Sequence, residues 1–206
     1  MANQSSYSRV AQWYDFLLAA NGYRRGVKKF LQRIELPLPV IPKILDVGCG
    51  TGLMSEVLLD KFPTAQITAF DIEKKMVEQF RLKVAHWPAA KQARLQVGVE
   101  DLFNFSTTDK FDLIVTGGVL ESVPLESAIS HLKSSLMPNG LLLNIALKKN
   151  WLTKYLLGDV FRLTPRTIRE NYEALRKAGF ARVDIISFGW REFPVSLLKI
   201  ALLGSM

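Results

Sequence analysis

The sequence holds few of the residues that carry redox, metal or acid–base chemistry. Among 206 residues there is one cysteine, Cys49, and there are two histidines, His86 and His131. A lone cysteine closes no disulfide within the chain and anchors no cysteine-rich metal site, so no metal is expected and a reducing cytoplasm suits the protein. No apolar run reaches membrane-spanning length. Internal repeats and low-complexity segments are lacking, and residues 1–16, MANQSSYSRVAQWYDF, do not read as a signal peptide.

What is present is core-forming material: 49% of the residues are hydrophobic, enough for a single domain over residues 1–206 with one large core. The formal charge of +8 suits an anionic partner such as a nucleic acid, a phospholipid surface or an acidic metabolite, and equally a merely soluble basic protein.

Apolar runs bounded by turn residues alternate with helical periodicity, the pattern of an α/β fold with a parallel sheet covered on both faces. Strands are expected at 43–47, 66–70, 94–99, 111–116 and 140–147. Met54, Val57, Leu58 and Phe62 set a helix after the first strand, and Met76, Val77, Phe80 and Val84 set one after the second. A third carries Leu125, Ile129, Leu132 and Leu136 and stops at Pro138-Asn139-Gly140. Thr164-Pro165 reads as a cap and first helical residue of a helix ending at Gly179. Residues 181–188 and 195–203 read as two last strands forming an edge hairpin. Upstream, residues 7–34 read as one or two helices with Arg24, Arg25, Lys28, Lys29 and Arg33 on one solvated face.

The chemistry concentrates in KILDVGCGTGLMSE, residues 43–56. A helix that starts directly after a strand leaves its first N–H groups free for an anionic or polar ligand, and Gly48, Gly50 and Gly52 let that ligand approach the backbone. Leu53 stands where a dinucleotide fingerprint needs its third glycine, and no Gly-Lys-Ser/Thr follows to make a P-loop. A nucleoside-like ligand with a charged tail remains. Asp71 ends the second strand about twenty residues after Gly52, the spacing at which an acid meets ribose hydroxyls in a βαβ unit. Glu100 and Asp101 end the third strand on the same sheet edge, where an adenine amine has an acceptor.

These segments resemble the class I S-adenosyl-L-methionine-dependent methyltransferases, particularly small-molecule enzymes such as the quinone-biosynthesis methyltransferases. The matching pieces are ILDVGCGTG at 44–52, ITAFDIEKKM at 67–76, VGVEDL at 97–102, FDLIVTGGVLESV at 111–123 and LMPNGLLL at 136–143. The resemblance implies a Rossmann-like, seven-stranded, mostly parallel sheet with the last strand antiparallel and helices on both faces. Its parts would be an N-terminal helical cap (1–40), a cofactor-binding core (41–147), a lid-like insertion (148–163), and a C-terminal helix with an edge hairpin (164–206).

It further implies that Asp46 and the Gly48, Cys49, Gly50 and Gly52 backbone hold the methionine moiety, that Asp71 and Ile72 lie at the ribose, and that Val99, Glu100 and Asp101 lie at the adenine. Gly117, Gly118 and Val119 would border the methionine arm, and Tyr7 and Tyr14 would cover the cofactor.

Many relatives carry a histidine in a V-L-E-H segment where this chain has Val119-Leu120-Glu121-Ser122, so Glu121 and Tyr14 are the remaining catalytic candidates. His86 and His131 read as structural. TGGV stands in place of the Asn/Asp-Pro-Pro-Tyr/Phe tetrad of nucleic-acid amino methyltransferases, which speaks against a nucleic-acid substrate.

The segment 148–163 mixes Trp151, Tyr155, Leu156, Leu157 and Phe161 with Lys148, Lys149, Lys154 and Arg162. That composition suits a lid over an apolar acceptor with an acidic group, an amphipathic contact with anionic lipid, or an insertion packed on the sheet edge. The expected activity is methyl transfer to a small, apolar or lipid-like acceptor. The alternatives are a catalytically silent cofactor-binding or partner-stabilising module and, third, RNA methylation drawn by charge.

Overall fold

A computed structural model describes residues 22–153 and 164–206. Its centre is a seven-stranded sheet with strand order β3-β2-β1-β4-β5-β7-β6. The strands are β1 (Lys43–Val47), β2 (Gln66–Asp71), β3 (Leu95–Val99), β4 (Phe111–Gly117), β5 (Leu136–Leu147), β6 (Arg182–Ser187) and β7 (Lys199–Ser205). Neighbours from β3 across to β5 pair in parallel, and β7 runs antiparallel to both β5 and β6. This is the sheet expected from the family resemblance.

Strand alternation divides the interior into two layers. Ile44, Leu113, Val115, Leu143 and Ile145 face one side, against Val27 and Phe30 of α1 (Tyr23–Arg33), Val57 and Leu58 of α2 (Leu53–Lys61), and Phe80 of α3 (Lys74–Val84). Leu45, Ile114 and Leu142 face the other side, against Ile129 and Leu132 of α4 (Leu125–Ser134) and Ala174 and Leu175 of α5 (Ile168–Lys177). Each fully buried Leu, Ile or Phe side chain contributes about 1.5–3 kcal/mol relative to exposure. Truncation in either layer therefore loosens the platform on which the site sits.

The expected strands in the first half of the sheet all form, and the differences lie where local signals compete. Residues 195–203, expected as one strand, split into a helical turn at Val195–Leu198 and β7. Four residues after a proline, three of them apolar, are too few to carry a period that separates helix from strand, and burial of Val195 against α1 settles the matter. The two last strands do form a hairpin, but β7 inserts between β5 and β6, so only β6 lies at the edge.

The cap of α5 is Thr167, not Thr164. Thr167 and Glu170 satisfy one another's backbone N–H groups in a capping box, which outweighs the weaker Thr-Pro signal upstream. β5 begins at Leu136, ahead of Pro138-Asn139-Gly140. Those three residues occupy an irregularity in the ladder, where Phe111 pairs with Leu136 and Leu113 already pairs with Leu141.

Of the basic residues on α1, Lys29 donates to the Arg191 carbonyl, and Arg33 bonds Glu192 and the Ser187 carbonyl. Part of the expected solvated face therefore ties α1 to the segment before β7. Tyr7 and Tyr14 lie outside the described residues, as does most of the expected lid. Among the described residues no helix is long and apolar enough to cross a membrane.

Candidate functional site

In a parallel sheet the loops that follow the strands open at one edge, and the order reversal between β1 and β4 leaves a crevice there. A cavity of about 580 Å³ fills it. Its walls come from the turn after β1, the ends of β2, β4 and β5, the loop after β3, and α1. Among the expected residues it exposes Gly48, Gly50, Asp71, Ile72, Glu100, Asp101, Gly117 and Val119, with Gly118 and Ser122 beside them.

The glycine turn explains itself residue by residue. Gly50 has φ +53°, and a Cβ placed on it would meet nothing within 4 Å, so its backbone lies open to the cavity. Gly48 has φ +67°, and its missing Cβ makes room for Val119, whose Cγ2 would lie 2.1 Å away. Gly52 turns inward against the Phe80 ring and caps α2 rather than lining the cavity.

Asp71 joins turn and strand. One carboxylate oxygen accepts the Gly50 N–H at 2.8 Å and the other accepts the Glu73 N–H at 2.9 Å. Each oxygen keeps a further lone pair, and the side chain lies on the cavity wall. Burial raises its pKa, opposed by hydrogen bonds from the Glu73, Gly50 and Ile72 backbone. Asp101 spends one oxygen on the Phe103 N–H, and Glu100 accepts from the Asp101 N–H.

Four expected cofactor residues do not line the cavity: Asp46, Cys49, Gly52 and Val99. Asp46 is fully buried, with one oxygen accepting from the Ser55 N–H at 3.0 Å and the Ser55 hydroxyl at 2.6 Å. It fastens the end of β1 to the first turn of α2, and burial, only partly opposed by those bonds, pushes its pKa up to about 7. Its other oxygen has no partner among the described residues. The Cys49 N–H donates to the Phe70 carbonyl at 3.0 Å, and burial pushes the thiol pKa well up, which keeps it an inert thiol. Val99 points to solvent on the sheet's flank.

The one described catalytic candidate, Glu121, does not face the cavity as a base, and neither histidine lines it. Glu121 is buried outside the lining, and one of its oxygens accepts the Leu147 N–H. His131 hydrogen-bonds the Phe105 carbonyl at 3.1 Å, and His86 is exposed in a turn. The structure adds cavity residues that the sequence reading did not single out for the site: Tyr23, Met54, Met76, Leu102 and Lys199. Arg24, read earlier as part of a solvated face, also lies on the wall. Helical periodicity places Arg24 on α1, but nothing local places α1 over the sheet edge.

A doubly wound sheet of this order, with an open glycine turn and an acid at the next strand end, is the arrangement in which open α/β domains hold nucleotides. Residues 45–142 match the family model described as a methyltransferase domain. Malonyl-[acyl-carrier protein] O-methyltransferase of Paenibacillus sp. (strain JDR-2) is 35% identical over 115 residues, 55% of this chain and 41% of that one. Trans-aconitate 2-methyltransferase of Variovorax paradoxus (strain S110) is 32% identical over 120 residues, 57% of this chain and 42% of that one. The chain thus spans about two fifths of the length of these curated relatives.

Among solved structures, magnesium protoporphyrin IX methyltransferase from Synechocystis PCC 6803 with bound S-adenosylmethionine superposes with a TM-score of 0.64. It shares 21% identity, over 93% of this chain and 82% of that one. Together these findings make residues 45–142 similar to methyltransferase domains, and the solved structure, at 21% identity, shows a likeness of fold.

Proposed function

We propose that the protein transfers a methyl group from S-adenosyl-L-methionine to a small acceptor that is apolar over most of its length. The observation that carries this reading is the convergence of the open Gly50 backbone, the Asp71 carboxylate and the Glu100–Asp101 pair on one cavity of about 580 Å³. A nucleoside with a charged tail fits that set. Asp71 has lone pairs for two ribose hydroxyls, Glu100 or Asp101 accepts from an adenine amine, and Gly50 leaves space for the tail. Gly48, Gly117 and Val119 border the tail's far end.

When bound, the sulfonium supplies an already activated methyl group, so the protein's task is alignment and exclusion of water. Val27, Ile145 and Leu147 give the β5 side of the cavity an apolar wall for the acceptor. No histidine lines the cavity among the described residues, and Glu121 is held by the Leu147 N–H. An acceptor that arrives as its own nucleophile needs no base. The two curated relatives are named for acidic acceptors, malonyl-[acyl-carrier protein] and trans-aconitate, which agrees with an acceptor of this kind.

Calorimetry with S-adenosyl-L-methionine and S-adenosyl-L-homocysteine tests the donor. Both should bind the wild type, and Asp71→Ala should lose at least a hundredfold in affinity. Incubation with methyl-labelled donor and fractionated small molecules and lipids should then yield a labelled product. Donor binding with no product in any fraction would favour a silent cofactor-binding module, and absence of donor binding to the folded protein would refute the proposal.

A further inference from the structure

Lys199 opens β7 opposite Leu147 of β5 and is only 2% exposed, yet it lines the cavity. Among the described residues its ammonium makes one hydrogen bond, a long one to the Ile145 carbonyl at 3.4 Å, and forms no ion pair. An ammonium carries three donors, and burying one without an anion is costly. A Cβ built on Gly118 would stand 3.6 Å from its nitrogen, so the charge lies where the β4 turn, β5 and β7 meet.

Charge along the cavity is segregated. The acids Asp71, Glu73, Glu100 and Asp101 all belong to the ends of β2 and β3 and the residues just after them. β5 lies three strands from β2, about 14 Å at the usual strand spacing. On that side the described lining offers apolar walls and two cations, Arg24 and Lys199, and no acid. A methyl donor of the kind proposed above brings a sulfonium and an amine against a single carboxylate, which leaves a net positive charge. One carboxylate cannot balance the donor's own cations together with both of the protein's.

We propose that Lys199 is a specificity-determining residue whose ammonium receives a carboxylate of the methyl acceptor. The inference rests on the methyl-transfer reading above and adds the acceptor's chemical class, an organic acid with an apolar body. The acid supplies the missing negative charge, the apolar body lies against Val27, Ile145 and Leu147, and an acceptor already anionic suits a site without a facing base. Because the charge is buried, discrimination against a neutral analogue is strong, since that analogue leaves the ammonium unpaired.

The test is calorimetry on the full chain at saturating S-adenosyl-L-homocysteine, titrating straight-chain carboxylates from butanoate to decanoate and their matched primary amides. The wild type should bind at least one carboxylate ten times more tightly than its amide. Lys199→Met should lose that preference, with amide and S-adenosyl-L-homocysteine affinities within twofold of wild type, and Lys199→Arg should keep part of it. No preference in the wild type, or a preference that survives in Lys199→Met, overturns the proposal. So does a tenfold loss of S-adenosyl-L-homocysteine affinity in Lys199→Met, because the ammonium would then be meeting the donor's own carboxylate. Should the Met variant fail to fold, the wild-type comparison decides by itself. A wild type that binds no S-adenosyl-L-homocysteine sinks the methyl-transfer reading and this one together, whereas binding without carboxylate preference sinks this one alone.

Discussion

Replacing Asp46 by Asn should change how the stability of the ligand-free protein depends on pH. In the folded protein the carboxyl is fully buried with one oxygen unpartnered, and its pKa climbs from 3.8 to about 7. Ionised, that group destabilises the fold by about 4 kcal/mol relative to its protonated form. Well below pH 3.8 both folded and unfolded chains hold the proton and the contribution is complete. As pH rises towards 7 the folded chain holds the proton longer than the unfolded chain does, so stability falls, and the contribution is gone once pH passes the folded value. Between pH 5 and pH 8 the loss from this group is roughly 2.5 kcal/mol.

Asn keeps an acceptor for the Ser55 N–H and hydroxyl but cannot ionise. Its amide nitrogen takes the unpartnered position at a pH-independent cost of about 1–3 kcal/mol. Urea unfolding of both proteins at a series of pH values therefore should show the variant gaining on the wild type by roughly 2.5 kcal/mol between pH 5 and 8. A stability difference that stays constant with pH would show that Asp46 is already ionised in the folded protein, and the burial argument would be wrong.

Gly48→Ala should cost roughly 2–5 kcal/mol, from the left-handed backbone and the collision with Val119 together; Val119→Ala should recover the steric part, read by the same denaturation assay. Gly50→Leu meets open space, so its stability loss should stay near 1–2 kcal/mol, while calorimetry should find S-adenosyl-L-homocysteine binding abolished. Unchanged affinity would mean that no ligand passes over Gly50. Thr167→Ala breaks the capping box of α5 and should cost about 1 kcal/mol, a fall in melting temperature of about 2–4 °C.

The half of the sheet from β3 to β4 was legible in the sequence because each strand there carries its own punctuation. β1 runs into Gly48, β2 ends on Asp71 and β4 on Gly117, so strand ends and candidate ligand groups are the same residues. The turn's chemistry was legible for the same reason, although only the coordinates separate Gly50, open to a ligand, from Gly48 and Gly52, which serve packing.

The other half was harder to read. Val195–Leu198 is too short for a period, and Thr164-Pro165 competes with the stronger Thr167–Glu170 box three residues on. Lys199 carried no signal at all. A lysine amid apolar residues is ordinary at the start of a strand, and only pairing with Leu147, far away in the chain, turns it into the cavity. Glu121 failed as a candidate for a similar reason, since the Leu147 N–H that holds it belongs to another strand.

The position of β7 also orders events during synthesis. Strands β1 to β5 are translated before β6 and β7, and β6 lies next to none of them. A growing chain can therefore assemble the β1–β4 crevice with its glycine turn while β6 has no partner, and only the arrival of β7 lets β6 join the sheet. Lys199, the first residue of β7, arrives with that strand. A ribosome-bound chain stalled between β6 and β7 would hold the glycine turn and Asp71 in place with one wall of the cavity missing, on the side where Lys199 stands.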